Sequence, residues 1–340
     1  MSEPQSVIAR RAAQHDDRLR VVITAESPLW YADGANDGHD RPAHVRAASS
    51  LAWIGDSIAV IQDDANFAAL VNPATRTARA VMLPPGEGGL RQFDDTRGNK
   101  KYKLDLEACV AVPTNGVDVL WAWGSGSKKR RRRVAMIDRW ETDAARVALV
   151  DADTLYERLQ ETEAFAGSDM NIEGAMLMGD VLRLFNRGNG APKRERLPVN
   201  ATCDLLLRDV QAYFEDNDAA VPTPTNIVQY DLGTLHGVSL GFTDAIAMGQ
   251  ATLFAATAEA SPDAATDGMV TGSVLGVIAS DGTSRYGMLY DAQRRPFTAK
   301  VEGVLLSQTS SAQGWLVVDA DDPTAPSQLC EFELVGPWQS

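Results

Sequence analysis

The sequence contains little cysteine and little histidine, three and four residues respectively among 340. Cys109, Cys203 and Cys330 are an odd set without the paired spacing of a metal-binding motif. Because Cys109 and Cys330 fall inside apolar, strand-like stretches, we expect buried free thiols. The sequence also lacks a Gly-x-Ser-x-Gly segment, and its histidines fall in predicted loops, so no nucleophilic catalytic arrangement is indicated.

Long apolar segments and an excess of positive charge are also absent. No stretch approaches the ~20 apolar residues that span a membrane, and residues 1–14 lack the apolar segment of a secretory signal. We therefore expect a cytoplasmic protein. The 32 Lys and Arg residues are outnumbered by 46 acidic ones, and the net charge of -14 disfavours nucleic acid and membrane as partners. The expected partner is a small-molecule substrate or ligand.

A repeated opening is the most informative pattern that is present. Five times, a small polar cluster that usually holds a carboxylate runs directly into an apolar, strand-like stretch. The anchors of the five openings are Ser50, Glu107, Glu173, Asp244 and Glu302, which are 57, 66, 71 and 58 residues apart. These lengths suit four-stranded propeller blades with long loops.

Period-two apolar runs separated by Gly, Asp, Asn or Pro turns predict four strands in each repeat except the last, which lacks one. The segment Leu19 to Thr24 has strand character and no hairpin partner, so it is expected to complete the last blade and close the ring. We therefore predict one all-β domain over residues 19–340, a five-bladed β-propeller, after a disordered tail over residues 1–18. A six-bladed ring is the alternative, and it would need a blade within residues 25–48.

In a propeller, the starts of the inner strands and the loops after the second strands converge at one mouth of the channel. The openings would therefore bring Glu107, Glu173, Asp244 and Glu302 together, with Asp64 from a loop. Such an oxygen-rich set suits Ca2+, or Mg2+ or Mn2+, and does not suit zinc. Two other interpretations stay open, namely carboxylates that cap backbone amides or pair with basic side chains, and carboxylates that perform metal-free acid/base chemistry.

Two segments are candidate anion sites. The loop Gly124 to Ser127 places Ser125 and Ser127 where backbone amides form a nest for phosphate or carboxylate, or it is simply a turn. The basic run Lys128 to Arg133 is either an anion-binding patch or a solvated loop that enters a strand.

Short motifs carry a resemblance to a known group of proteins. The segments Asp169 to Ala175, Leu182 to Asn189 and Leu104 to Ala108 contain acidic strand openings and an Asn-Arg-Gly-Asn turn. In these features the chain resembles the phytase-like and esterase-like propeller proteins. With its Gly-Ser-Gly-Ser loop and its Gly-Phe-Thr-Asp opening, it is more similar to an uncharacterised bacterial propeller group.

The resemblance implies a divalent-metal-dependent hydrolase of a small anionic ester, lactone or phosphate ester. A non-enzymatic ligand-binding or protein-interaction propeller is the alternative, because a fold alone does not fix a function. The implied roles divide into catalytic, substrate-binding and metal-binding residues. The implied catalytic residues are Glu107, Glu173 and Asp105; the implied substrate-binding residues are Arg187, Lys103, Lys300, Ser125, Ser127 and Asn189; the implied metal ligands are Glu107, Glu173, Asp244, Glu302 and Asp64.

Overall fold

The structure is a computed structural model that describes residues 8–140, 145–193, 195–216, 219–260 and 268–339. Within these ranges the fold is all-β, with three short α-helices. The strands are β1 (Ala9–Pro28), β2 (Trp30–Tyr31), β3 (Ala48–Ile54), β4 (Ser57–Gln62), β5 (Phe67–Val71), β6 (Thr77–Met82), β7 (Leu106–Thr114), β8 (Val117–Gly124), β9 (Arg133–Asp138), β10 (Arg146–Asp151), β11 (Ile172–Met178), β12 (Val181–Asn186), β13 (Asn200–Leu206), β14 (Thr225–Asp231), β15 (Thr234–Leu235), β16 (Val238–Met248), β17 (Ala251–Ala260), β18 (Met269–Ile278), β19 (Ser284–Tyr290), β20 (Lys300–Leu306), β21 (Gln313–Asp319) and β22 (Gln328–Val335). The helices are α1 (Asp153–Glu161), α2 (Glu163–Ala166) and α3 (Leu207–Glu215).

Consecutive strands pair into antiparallel groups, as the period-two pattern predicts. The groups are β3 to β6, β7 to β10, β11 to β14, β16 to β19 and β20 to β22. Tight turns connect consecutive strands within a group. In the turn at Gly55-Asp56, Gly55 adopts a φ of 56°. Between β1, which ends at Pro28, and β3, which begins at Ala48, the described residues form one strand, the two-residue β2, which pairs with β6 and forms no further group.

The first strands of the five groups are neighbours in a closed cycle. β3 contacts β7, β7 contacts β11, β11 contacts β16, β16 contacts β20, and β20 contacts β3 again. Their starts therefore meet at one end of the cycle, where polar side chains project. Between neighbouring groups lie apolar clusters, for example Trp121 and Trp123 of β8 against Tyr156 of α1 and Phe214 of α3.

β1 joins three of the groups into one thirteen-stranded sheet. Residues 9–12 pair in parallel with β14, residues 13–15 and 20–22 pair in parallel with β19, and residues 20–28 pair antiparallel with β22. The pairing of Leu19 to Thr24 with the last group is therefore confirmed.

The predicted disordered tail over residues 1–18 is wrong from Ala9 onward, because β1 begins there. Residues 9–18 have little apolar character, so their sequence did not indicate a strand. Their backbone groups instead satisfy the outer edges of β14 and β19, which would otherwise be open. Residues 1–7 lie outside the described residues.

The three cysteines are buried free thiols, as predicted. None of the helices in the described ranges has the length and apolar character that crossing a bilayer requires.

Deletion of residues 1–15 should expose the edges of β14 and β19 while leaving the pairing of β1 with β22 intact. We expect a loss of about 3 kcal/mol in the free energy of unfolding, from several lost backbone hydrogen bonds at roughly 1 kcal/mol each, together with concentration-dependent association. Urea denaturation and light scattering measure the two effects. A deletion that ends before Ala9 is the control, and equal behaviour of the two deletions would contradict the role assigned to β1.

Candidate functional site

A one-residue bulge lies near the start of four inner strands and midway along β16. The register between the first and second strands skips one residue in every group. The skipped residues are Ser49, Glu107, Glu173, Thr243 and Glu302. A bulge reorients the side chain at that position, and bulges of this kind occur next to binding sites. Three glutamates and two hydroxyl residues are therefore structurally equivalent.

Ser50 and Asp244, the sequence anchors of two openings, lie one residue beyond the bulge. Alternate residues of a strand point to opposite faces, so a one-residue error moves the side chain away from the mouth. Asp244 is 1% exposed, its carboxylate accepts hydrogen bonds from Ser50 Oγ (3.2 Å) and the Val304 amide (3.0 Å), and it does not line the cavity. Burial raises the pKa of Asp244 well above its usual value. The prediction of Asp244 as a metal ligand is corrected to a structural role.

A cavity of about 300 Å³ opens where the inner strands start. The predicted convergence of strand openings with the loops after the second strands is confirmed. Twelve carboxylates and five cationic side chains line the cavity. The carboxylates are Asp63, Asp64, Asp94, Asp95, Asp105, Glu107, Glu173, Glu259, Glu302, Asp319, Asp321 and Asp322, and the cations are Lys100, Lys103, Arg131, Arg187 and Lys300.

The first of two charge clusters surrounds Lys103. Its ammonium contacts the carboxylates of Asp63 and Asp105, the latter at 2.6 Å. Asp105, which is 2% exposed, also accepts from Arg131 Nη1 at 2.8 Å and from Ser125 Oγ. These cations hold the pKa of Asp105 below its usual value despite burial, which acts in the opposite direction. Carboxylates raise the pKa of Lys103 well above its usual value, against the effect of burial.

Ser125 and Ser127 have roles that differ from the predicted anion nest. Ser125 Oγ contacts Ser127 Oγ at 2.9 Å and donates to Asp105, while Arg131 Nη1 donates to Ser127 Oγ at 2.9 Å. Neither serine lines the cavity. Both orient Asp105 and Arg131, and the prediction that they bind substrate is therefore not supported.

The second cluster is centred on Arg187 and Lys300. Arg187 donates to Glu259 at 2.7 Å and to Glu173 at 3.4 Å. Lys300 contacts Glu302 at 2.9 Å and Asp321 at 2.8 Å. Glu259 lies at the end of β17 and Asp321 lies in the loop after β21. Sequence reasoning placed both regions at the mouth without choosing these residues.

Asn171 and Asn189 extend this cluster through their side-chain amides. Asn171 Nδ2 donates to Glu173 Oε1 at 2.6 Å and to Asn189 Oδ1 at 3.3 Å. Burial raises the pKa of Glu173 to about 8, an effect that Arg187 opposes and the nearby Glu302 reinforces. Burial also raises the pKa of Glu302.

Glu107 differs from the other bulge glutamates. Its carboxylate lies between the two clusters, and within the described part of the chain it has no hydrogen bond or ion pair. One oxygen each of Asp63, Asp105 and Glu107 lie within 4.8 Å of one another. Burial, followed by the charges of Asp63, Asp105 and Glu173, raises the pKa of Glu107 well above its usual value.

Asp64 lines the cavity, but a buried guanidinium engages it. Arg46 Nε donates to Asp64 Oδ1 at 2.9 Å, and Arg46 Nη2 also contacts Asp94 at 3.2 Å. Burial, together with Asp63, raises the pKa of Asp64 to about 6. Its predicted role as a metal ligand competes with this pair. Arg46 had no sequence signal, because it lies outside the repeated openings.

The basic run Lys128 to Arg133 divides between the cavity and surface ion pairs. Arg131 reaches Asp105 in the cavity, whereas Lys129 and Arg132 pair with Asp153 at 3.0 and 2.8 Å. Arg133 pairs with Asp151 at 3.1 Å. The run is therefore largely neutralised by neighbouring acids.

A family model matches residues 44–334, which include every inner strand and the whole cavity lining. The chain belongs to the DUF6929 family. That family is described as one of unknown function, so membership in DUF6929 assigns no chemistry. No curated protein matches the sequence.

Solved structures similar to this DUF6929 protein are propeller-type proteins. Glutaminyl cyclase of Myxococcus xanthus is 11% identical over 94% of this chain and 100% of its own, with a TM-score of 0.47. The Pan2 WD40 domain of Neurospora crassa is 11% identical (96% and 100% covered, TM-score 0.40). The GH93 α-L-arabinofuranosidase of Fusarium graminearum is 8% identical (92% and 98% covered, TM-score 0.40). These likenesses carry no functional argument, and the phytase-like or esterase-like resemblance finds no support among them.

Replacement of Glu173 by Gln should stabilise the DUF6929 protein at alkaline pH. The carboxyl group has a raised folded pKa, so its contribution is present below the unfolded value of 4.5 and is lost as pH rises toward about 8. Gln keeps the acceptor for Asn171 and does not ionise. At ~1.4 kcal/mol per pKa unit, we expect the variant to exceed the starting protein by a few kcal/mol at pH 9 and to match it near pH 5.

Urea denaturation across this pH range measures the difference between the two proteins. Glu215→Gln is the control, since Glu215 is an exposed residue of α3. A constant offset between Glu173→Gln and the starting protein at all pH values would contradict the assigned pKa shift.

Proposed function

We propose that the chain is a five-bladed β-propeller closed by β1. The closed cycle of β3, β7, β11, β16 and β20 supports this count, because each of these strands begins one antiparallel group. β1 supplies the fourth strand of the last group by pairing with β22. Every inner strand carries one bulge, which supports the interpretation of the five groups as equivalent blades.

We further propose that the protein is a divalent-metal-dependent hydrolase of a small ester, lactone or phosphate ester, and that it acts in the cytoplasm. The observation that carries this proposal is the arrangement of Asp63, Asp105 and Glu107. Their oxygens lie within 4.8 Å of one another, and Glu107 has no partner in the described ranges. Three carboxylates at this separation suit the oxygen coordination of Ca2+, or of Mg2+ or Mn2+.

The donor set fits such a cation, with two competing side chains, because Arg131 Nη1 also donates to Asp105 at 2.8 Å. The ammonium of Lys103 already contacts Asp63 and Asp105, so a cation would share these carboxylates with Lys103 or displace it. Without a metal, Lys103 supplies the compensating charge that the buried acids need. When bound, a divalent cation would polarise the carbonyl or phosphoryl oxygen of the ester.

Two of the predicted catalytic residues differ in their protonation. Glu173, with a pKa of about 8, is mostly protonated at neutral pH and can donate a proton to a leaving group. Asp105 stays ionised, is held by Lys103 and Arg131, and is nearly inaccessible. We therefore assign Glu173 as the general acid and Asp105 as an ionised oxygen donor of the proposed cation site rather than as a catalytic residue.

Binding of a substrate anion has less support than binding of a cation. Lys103, Arg187 and Lys300 each pair with cavity carboxylates, so an anion must compete for them. Arg187 is the best candidate, because its contact with Glu173 is 3.4 Å long and weakens when Glu173 is protonated. Asn189, a neutral donor on the same side, can assist.

Binding without catalysis is the second candidate function. All five cationic side chains of the cavity are paired with carboxylates that also line it. The remaining negative charge favours a cationic or polyol ligand, which such a cavity could hold without chemistry. This alternative predicts a ligand effect that does not depend on a divalent cation.

Calcium should raise the melting temperature of the chelator-treated protein, and Glu107→Gln should abolish the increase. Binding at a hundred times Kd contributes ~2.7 kcal/mol, which corresponds to roughly 5 °C for a domain of this size. Thermal unfolding with Ca2+, Mg2+ and Mn2+ measures the shift. A parallel screen of nitrophenyl esters, phosphate esters and lactones tests hydrolysis.

Glu215→Gln, which removes an exposed charge on α3, should retain the full calcium shift. The metal-dependent proposal is wrong if no cation changes the melting temperature, or if Glu107→Gln responds as the starting protein does. Hydrolysis that persists in excess chelator would contradict the metal requirement alone.

A further inference from the structure

One wall of the cavity comes from outside the inner strands and their loops. The long connection between β6 and β7, residues 83–105, contributes Asp94, Asp95, Thr96 and Lys100 in addition to Lys103 and Asp105. Most of this connection has no strand or helix of its own, so its position depends on tethers to the rest of the fold. We call residues 91–103 the wall segment.

Backbone hydrogen bonds anchor the first part of the wall segment. The amide of Asn66 donates to the carbonyl of Arg91, and the amide of Phe93 donates to the carbonyl of Asp64, both at 2.8 Å. Asp40 Oδ2 accepts from the amides of Arg91 (2.8 Å) and Gln92 (3.0 Å). These bonds hold the backbone but do not fix the carboxylate of Asp94 beyond them.

Arg46 holds that carboxylate from beneath, while the amide of Arg97 donates to it at 2.7 Å from within the wall segment. It precedes β3, and its side chain is only 2% exposed. Its guanidinium donates to Asp64 through Nε at 2.9 Å, to Asp94 through Nη2 at 3.2 Å and to Gln92 Oε1 through Nη1 at 3.0 Å. One buried cation therefore joins a loop of the first group to two residues of the wall segment.

We propose that Arg46 is a positioning residue of the candidate site, which holds the wall segment against the cavity and directs the carboxylates of Asp64 and Asp94. It touches no reacting group, because it does not line the cavity. The importance of this role for catalysis rests on the proposed function, whereas the positioning itself does not.

The test compares Arg46→Met and Arg46→Lys with the starting protein. Amide hydrogen exchange should accelerate at least ~10-fold within the wall segment of Arg46→Met and much less in β12 and β13. Exchange in the wall segment of Arg46→Lys, which keeps the charge but loses the fork of donors, should lie between that of Arg46→Met and that of the starting protein.

Arg183→Met is the matched control. Arg183 forms a comparably shielded two-point pair with Asp204, at 2.6 and 2.8 Å, on β12 and β13 away from the cavity. This control should accelerate exchange around β12 and β13 and leave exchange in the wall segment unchanged.

Unchanged exchange in the wall segment of Arg46→Met, exchange raised equally throughout the chain, or an Arg46→Lys variant that exchanges as fast as Arg46→Met would each overturn the proposal. The measurement does not use calcium. A protein that fails to bind calcium but shows the local change in exchange would refute the metal-dependent function and support the role of Arg46.

Discussion

The bulge in each inner strand is the constraint on which the site depends. By adding one residue opposite the second strand, it turns Glu107, Glu173 and Glu302 toward the mouth. At the two positions with hydroxyl residues, Ser49 and Thr243 instead donate to carbonyls of the neighbouring inner strand, at 2.6 and 2.8 Å. The bulge thus directs a carboxylate toward the cavity in three groups, and in the other two it places a hydroxyl that hydrogen-bonds the neighbouring inner strand.

The many carboxylates in the cavity require compensating positive charge, which the basic side chains of the two charge clusters supply. Lys103 and Arg131 balance the first cluster, and Arg187 and Lys300 balance the second. Lys103, Arg187 and Lys300 are each shared between carboxylates. Burial alone would neutralise isolated carboxyl groups, whereas shared cations keep Asp105 ionised. Glu107 lies between the clusters without such a partner in the described ranges, which makes it the position where an added cation would gain most.

Sequence reasoning predicted the strands and the convergence of the openings, because period-two patterning and turn residues are local signals. It anchored two openings at Ser50 and Asp244, one residue beyond the bulge, because a bulge leaves the apolar pattern intact and changes only the register. It missed the early part of β1 and the wall segment for a different reason. Both are held by backbone bonds and by distant side chains such as Arg46, and such contacts leave no periodic trace.

The most direct test of the account is a crystal structure of the chelator-treated protein soaked with Ca2+ or Mn2+, with anomalous scattering used to locate the ion. We expect a peak at about 2.3 Å from oxygens of Asp63, Asp105 and Glu107. We also expect the ammonium of Lys103 to have moved away from the two aspartates. The contradictory result is no peak in the cavity, with Lys103 still bound to Asp63 and Asp105, which would identify its ammonium as the only cation that this site holds.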